Sequence, residues 1–230
     1  MNVFVNLFSF RYTIGIYLFS MTKKIRLVDG FLIRSTLDPD FGVLHENSIQ
    51  GFAAKYYIPH NEIWMDKQFK KEKDFLLQFF HLSHDKKYAN WTYQKWREMV
   101  KKTLTTPGNP PNFVHKEERK KGLKIQYVDG ATIRQYFDPE FIFGGHKFVY
   151  EYVPPKTIWL DIHQDEKEMP YTLIHEMVEY EHMKKGMTYD QAHDIATAYD
   201  KAQRRADKVG RYPGDATYTK KDILPYAQKK

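Results

Sequence analysis

The sequence predicts an α+β protein made by tandem duplication of a ββββαα module, with antiparallel sheets and the helices packed on one face. Three observations lead to that fold class. Lys24-Ile25-x-x-Val28-Asp29-Gly30-x-x-Ile33-Arg34-x-x-x-Asp38-Pro39-x-Phe41 recurs 100 positions later as Lys124-Ile125-x-x-Val128-Asp129-Gly130-x-x-Ile133-Arg134-x-x-x-Asp138-Pro139-x-Phe141. Pro59-x-x-x-Ile63-Trp64-x-Asp66 is then answered by Pro154-x-x-x-Ile158-Trp159-x-Asp161. A nearly steady offset follows, pairing Glu72 with Glu168, Leu77 with Leu173, and Thr92-Tyr93 with Thr188-Tyr189. Three blocks agreeing in one order are the mark of an internal repeat. In each copy, strand-like runs come first and helix-like runs last. That segregation argues against a doubly wound parallel sheet.

The elements follow in chain order. Residues 1–21 form an apolar N-terminal extension outside the repeat. Its length nearly spans a bilayer, yet Arg11 interrupts it, no basic region precedes it, and no small-residue cleavage site follows. Met21 stands directly before the module, so an upstream extension, a membrane anchor and an extra packed element are the readings it allows. Copy one occupies 22–102 and copy two 123–208. Between them, 103–122 reads as a linker, with Thr105–Asn112 rich in Pro and Asn before the charged run Lys116–Lys121. In both copies Asp-Gly between branched and aromatic runs signals a tight hairpin. Phe148–Val153 and Thr157–Asp161 read as two more strands, with counterparts near 53–58 and 62–66, and the shared prolines sit between strands where no ladder bond is lost. A helix is expected from about Glu166 to Lys185, stopped by Gly186. Thr188 then caps a second helix running to about Lys208. Modules of this size are marginal alone, so the two are expected to pack together about a pseudo-twofold axis.

Composition narrows the chemistry. The absence of cysteine among the 230 residues excludes disulfides and thiolate metal sites, leaving imidazole and carboxylate as ligands. It also points to a reducing, cytoplasmic compartment. The net charge of +7 is concentrated at one end: residues 201–230 hold nine Lys or Arg against three Asp, six of the seven positive charges. The basic tail, 209–230, is a candidate contact for nucleic acid or another polyanion, with a solvated tail as the plainer account. The sustained basic-aromatic groove of a single-strand binder is missing.

The candidate site lies in copy two, at His175-Glu176-x-x-Glu179 and His193. On a helix, His175 and Glu179 project from one face and could grip one ion. Glu176 is turned by about 100° from His175, placed as a general base would be. His193 on the next helix is the third metal ligand, with His182 as the alternative. This donor set suits Zn²⁺ with a water in the fourth position. Spacing alone is equally met by a solvated helix face. The repeat shifts the balance, because His175, Glu176, Glu179 and His193 correspond to Phe79, Phe80, Ser83 and Arg97. Two phenylalanines imply buried positions, where a His and a Glu need partners. Residues present in both copies (Asp66/Asp161, Tyr93/Tyr189, Trp64/Trp159) are assigned to the scaffold. His163 and Gly144-Gly145-His146 stay open, with a structural histidine favoured at His146 because His45 lies nearby in repeat terms.

The stretch Pro154…Trp159-x-Asp161, His175-Glu176-x-x-Glu179, Met183, Gly186, Tyr189 and Ala192-His193 resembles small uncharacterised proteins of phages and prokaryotes. The helix separately resembles the gluzincin side of the zinc metallopeptidases, whose helix supplies His, a catalytic Glu and further ligands. It departs from them in having Glu179 where the second His stands and His193 where a downstream Glu stands. The resemblance implies a zinc-dependent hydrolase acting on a peptide or protein, with Glu176 catalytic and His175, Glu179 and His193 on the metal. Tyr189 and His182 are candidates for steadying the oxyanion. The alternative is a non-enzymatic, metal-stabilised structural or interaction protein, such as a virion or host-interaction factor.

Overall fold

The computed structural model describes residues 23–47, 55 and 57–212; the apolar extension, part of the expected strand at 53–58, and the tail from 213 lie outside the described residues. The chain is a mixed α+β protein with two sheets, of three and four strands, and six helices among the described residues.

In the first half, β1 (Lys24–Val28), α1 (Gly30–Thr36), β2 (Leu44–Glu46) and β3 (Glu62–Asp66) precede α2 (Lys73–His84) and α3 (Tyr93–Leu104). The second half adds β4 (Val114–Lys120) and continues with β5 (Leu123–Val128), α4 (Gly130–Tyr136), β6 (Gly144–His146) and β7 (Thr157–Asp161). Helices α5 (Met169–Lys184) and α6 (Tyr189–Ala206) complete it. The strand orders are β1-β3-β2 and β4-β5-β7-β6. The expectation of antiparallel sheets is corrected: β1 runs parallel to β3 and β5 to β7, while β2 and β6 pair antiparallel to them. The registers correspond, with Ile25 opposite Ile63 and Ile125 opposite Ile158.

The parallel pairs arise because Asp-Gly does not make a hairpin. Asp29 and Asp129 are extended residues that cap helices, accepting the amide protons of Leu32 and Thr132 at 3.0 and 3.2 Å. Glycine is required next for closeness rather than for turn geometry. A Cβ at Gly30 would meet Asp66 Oδ2 at 1.8 Å, and one at Gly130 would meet Asp161 Oδ2 at 1.9 Å. Each half is therefore βαββαα. A primed hairpin does occur, at Lys121-Gly122, where both residues have positive φ (49° and 80°) and join β4 to β5. The charged run read as linker is thus largely strand.

Phe148–Val153 is also not a strand. Its backbone folds in turns, with Val149 and Tyr150 N–H donating to His146 O. Tyr150 and Tyr152 pack with Phe137, Phe141 and Trp159, and this aromatic burial outweighs their β-propensity. Thr188 caps α6 with a full capping box through Gln191, and Gly186 takes φ +93° after α5, as the sequence predicts.

Helices cover both faces of the second sheet, correcting the single-face expectation. Val128 and Trp159 pack with Ile133 of α4, and Ile125, Ile158 and Leu160 pack with Leu173 and Tyr180 of α5. The halves meet through a reciprocal exchange of buried charge. Arg34 pairs with its own half's Asp66 (3.0 Å) and with Glu168 of the other half (2.9 Å). Arg134 pairs with its own Asp161 (2.8 Å) and with Glu72 of the other half (2.7 Å). Each guanidinium also lies over a phenylalanine across the seam, Arg34 over Phe143 and Arg134 over Phe69.

His45 on β2 accepts the Gly42 amide proton at Nε2 (2.8 Å). Burial chiefly, with Lys55, His84 and Arg34 outweighing Asp38, pushes its pKa from 6.5 down to about 3. Unfolding restores the ordinary value, so the unfolded chain binds more protons here than the folded one. The stability this neutral imidazole contributes is complete above about pH 6.5 and is lost as pH falls towards 3. Urea unfolding between pH 7 and pH 4 should show a shallower decline for His45→Gln than for the native chain. Parallel declines would remove His45 from the acid response.

Candidate metal centre

The centre is built on the facing sides of α5 and α6. His175 and Glu179 stand one turn apart on α5, and His193 faces them from α6. Ala192 and Ala196, both fully buried, let the helices approach closely around His193. Below the site, Arg204 of α6 is buried against Glu168 and holds Asp200 at 2.6 Å and Ser35 Oγ at 3.0 Å. This ionic floor locks the start of α5 to the end of α6, and so sets the separation of His175 from His193.

The three sequence-predicted ligands converge. His175 Nε2 and His193 Nδ1 are 3.1 Å apart, and Glu179 Oε2 lies 3.1 Å from His193 Nδ1 and 3.5 Å from His175 Nε2. Ligand atoms at zinc bond lengths on a tetrahedron stand about 3.3 Å apart, so the spacing fits one small cation. A second set, His146, Glu176 and Glu179, also has its ligand atoms within 4.8 Å of one another. His146 Nε2 and Glu176 Oε2 are buried without a hydrogen-bond partner. Buried polar atoms of this kind are suited to holding a cation.

The electrostatics agree. Burial raises the Glu176 carboxyl well above its ordinary range, and the charge of Glu179 adds to the rise. Burial also opposes ionisation of Glu179, but contacts from His146, His175 and His193 outweigh it and the net shift is downward. The Glu179 contact raises His193 against a smaller desolvation effect. Glu179 is thus the ionised centre of the cluster, and Glu176 the neighbour that burial holds protonated until a cation beside it favours the carboxylate.

The cluster opens into a cavity of about 280 Å³ whose opposite wall comes from the first half, through Arg34, Pro39, Asp40 and Gly42. Tyr189, assigned to the scaffold by its occurrence in both copies, stands exposed at the cavity and stacks on His193 with ring centroids 5.3 Å apart. His182 is not brought in. It belongs to neither ligand set and lines no part of the cavity. His163 is engaged elsewhere, 2.9 Å from Asp129.

Sequence reasoning missed His146. Repeat position suggested a structural histidine like His45, but His45 sits opposite Trp64 on β3, whereas His146 sits opposite Ile158, the counterpart of Ile63. A shift of one residue turns a strand side chain to the opposite face. Aligning 44–46 with 144–146 at the offset of 100 would have placed His146 against Glu46 and separated the two histidines.

Comparison of the chain with protein-family models, with curated proteins and with solved structures gives no match. The reading of the centre therefore rests on its own geometry.

In the first half the corresponding positions hold no such cluster. Phe80 is buried against the His84 ring at 4.0 Å. Arg97, standing where His193 does, is engaged with Asp138 and, at 3.1 Å, with Glu140.

Proposed function

We propose that the chain is a metal-dependent hydrolase, a zinc metallopeptidase-like enzyme, in which one copy of a duplicated module carries the site and the degenerate copy supplies a wall of the cavity. The observation that supports this best is the meeting of His175, Glu179 and His193 at ligand spacing beside a buried carboxylate whose Oε2 has no partner. The matching strand registers and the reciprocal arginines support the duplication.

His175, Glu179 and His193 would hold the ion. A bound zinc supplies a water of lowered pKa and a Lewis acid for a carbonyl oxygen. The chain's own contribution is proton handling and placement. Glu176, buried within the cavity, accepts a proton at Oε2 and returns it to the leaving amine. Gly144 leaves room for this side chain, since a Cβ there would come within 3.0 Å of Glu176 Cγ. Tyr189 offers an exposed hydroxyl-bearing ring beside His193 for a substrate oxyanion.

Metal content by mass spectrometry on chain purified without chelator tests the reading. At least one tightly held zinc per chain is expected, lost in His175→Ala/Glu179→Ala. No zinc after incubation and dialysis would leave a non-enzymatic interaction protein as the better account.

A further inference from the structure

We propose that the chain carries a second divalent-cation site, formed by His146, Glu176 and Glu179, with Glu179 bridging two ions through its separate carboxylate oxygens. The inference extends the hydrolase reading, sharing Glu179 with that first site. It adds His146 and Glu176, which that reading does not use as ligands.

The Glu179 carboxylate is already divided between two directions. Oε2 faces His193 and His175, at 3.1 and 3.5 Å, while Oε1 lies 3.1 Å from His146 Nε2. A carboxylate with one oxygen in each donor set has the shape of a two-ion bridge. On the Oε1 side both remaining groups are buried. The His146 side chain is fully enclosed, with Glu179 Oε1 at 3.1 Å from its Nε2. Glu176 is nine-tenths buried with Oε2 unpartnered. Polar groups buried in this state are uncommon in folded proteins and call for a ligand. An imidazole and two carboxylates suit a borderline divalent metal such as Zn²⁺.

Gly144, two residues before His146 and on the same face of the strand, leaves room for the site: a Cβ there would come within 3.0 Å of Glu176 Cγ and 3.1 Å of Thr172 Cγ2. The ring of His146 is held in orientation by Phe148 N–H, which donates to Nδ1 at 3.3 Å. Loading Nε2 with a cation requires the ring proton at Nδ1 and gives up that long contact, so the second ion binds more weakly than the first. Once Glu176 is a ligand it no longer takes a proton from water. Filling the second site therefore silences the hydrolysis that the first supports, and metal in excess acts as an inhibitor.

Calorimetric titration of chelator-stripped full chain with Zn²⁺, with metal per chain counted by mass spectrometry, tests this. Two ions per chain are expected, the second at least about tenfold weaker. Glu176→Gln, nearly isosteric, and His146→Gln should each bind one. Native chain saturating at one ion overturns the proposal, as does Glu176→Gln still binding two, which would leave the space to water. His193→Ala separates the two readings. Loss of the tight ion with the weak one retained supports both, whereas unchanged tight binding in His193→Ala alongside loss of one ion in Glu176→Gln removes the first site and leaves the second. Circular-dichroism melts confirm that each variant is folded, and where His146→Gln is not, Glu176→Gln alone decides.

Discussion

Glu176→Gln is expected to lower peptide hydrolysis by about 100-fold or more, the range a general base contributes, while the tightly held zinc stays bound. The amide keeps the side chain's size but neither accepts a proton from water nor delivers one to an amine. The three residues assigned to the first ion are untouched, since Glu176 belongs only to the other donor set. This split between metal content and turnover separates catalysis from a purely structural ion. The measurement is hydrolysis of a peptide library by native and variant chains at equal zinc content. Equal turnover in the two would remove Glu176 from the chemistry. If the native chain, at one zinc per chain, cleaves nothing, the ion serves to join α5 and α6, and the interaction-protein reading prevails.

Arg134→Met should cost about 3–5 kcal/mol of folding stability, the usual penalty for breaking a buried ion pair from one side. The guanidinium is fully buried and bonded to Asp161, Glu72 and the carbonyl of Phe141. Methionine fills part of the volume, but the Asp161 side chain, itself fully enclosed, is left without its countercharge. Lys67→Ala is the control. Lys67 reaches Asp29 at 2.6 Å, but the two side chains are 47% and 34% exposed, and water screens such a pair to less than about 1 kcal/mol. Urea unfolding of the two variants checks both. A loss below about 1 kcal/mol for Arg134→Met would show that the exchange across the seam is not what holds the halves together.

The recurring sequence blocks marked Arg34 and Arg134 and the strand runs at 62–66 and 157–161, though not the direction in which those strands pair. Thr188 and Gly186 needed only cap and stop rules, and both hold. His175, Glu179 and His193 stood out because Phe79, Ser83 and Arg97 occupy the other copy, and the folded chain brings the three together. Asp29-Gly30 and Asp129-Gly130 were misread because the local signal for a turn and that for a helix start share the same two residues. What decides between them is the distant Asp66 or Asp161 pressed against the glycine, which no window along the chain contains. His146 was obscured for a related reason, since which face a strand residue takes depends on its partner across the sheet. Phe148–Val153 carries strand-forming residues whose aromatic packing overrides their propensity.

The exchange of Arg34 for Glu168 and Arg134 for Glu72 has a consequence for how the molecule is made. A ribosome delivers the first half well before residue 168, so Arg34 waits with one of its two carboxylates still unsynthesised, and Glu72 waits for a guanidinium not yet emerged. Neither half closes its interior on its own account. The sealing of the seam and the closing of the cavity between Asp40 and His193 become one event, and a fragment from interrupted translation is left with unmatched charge.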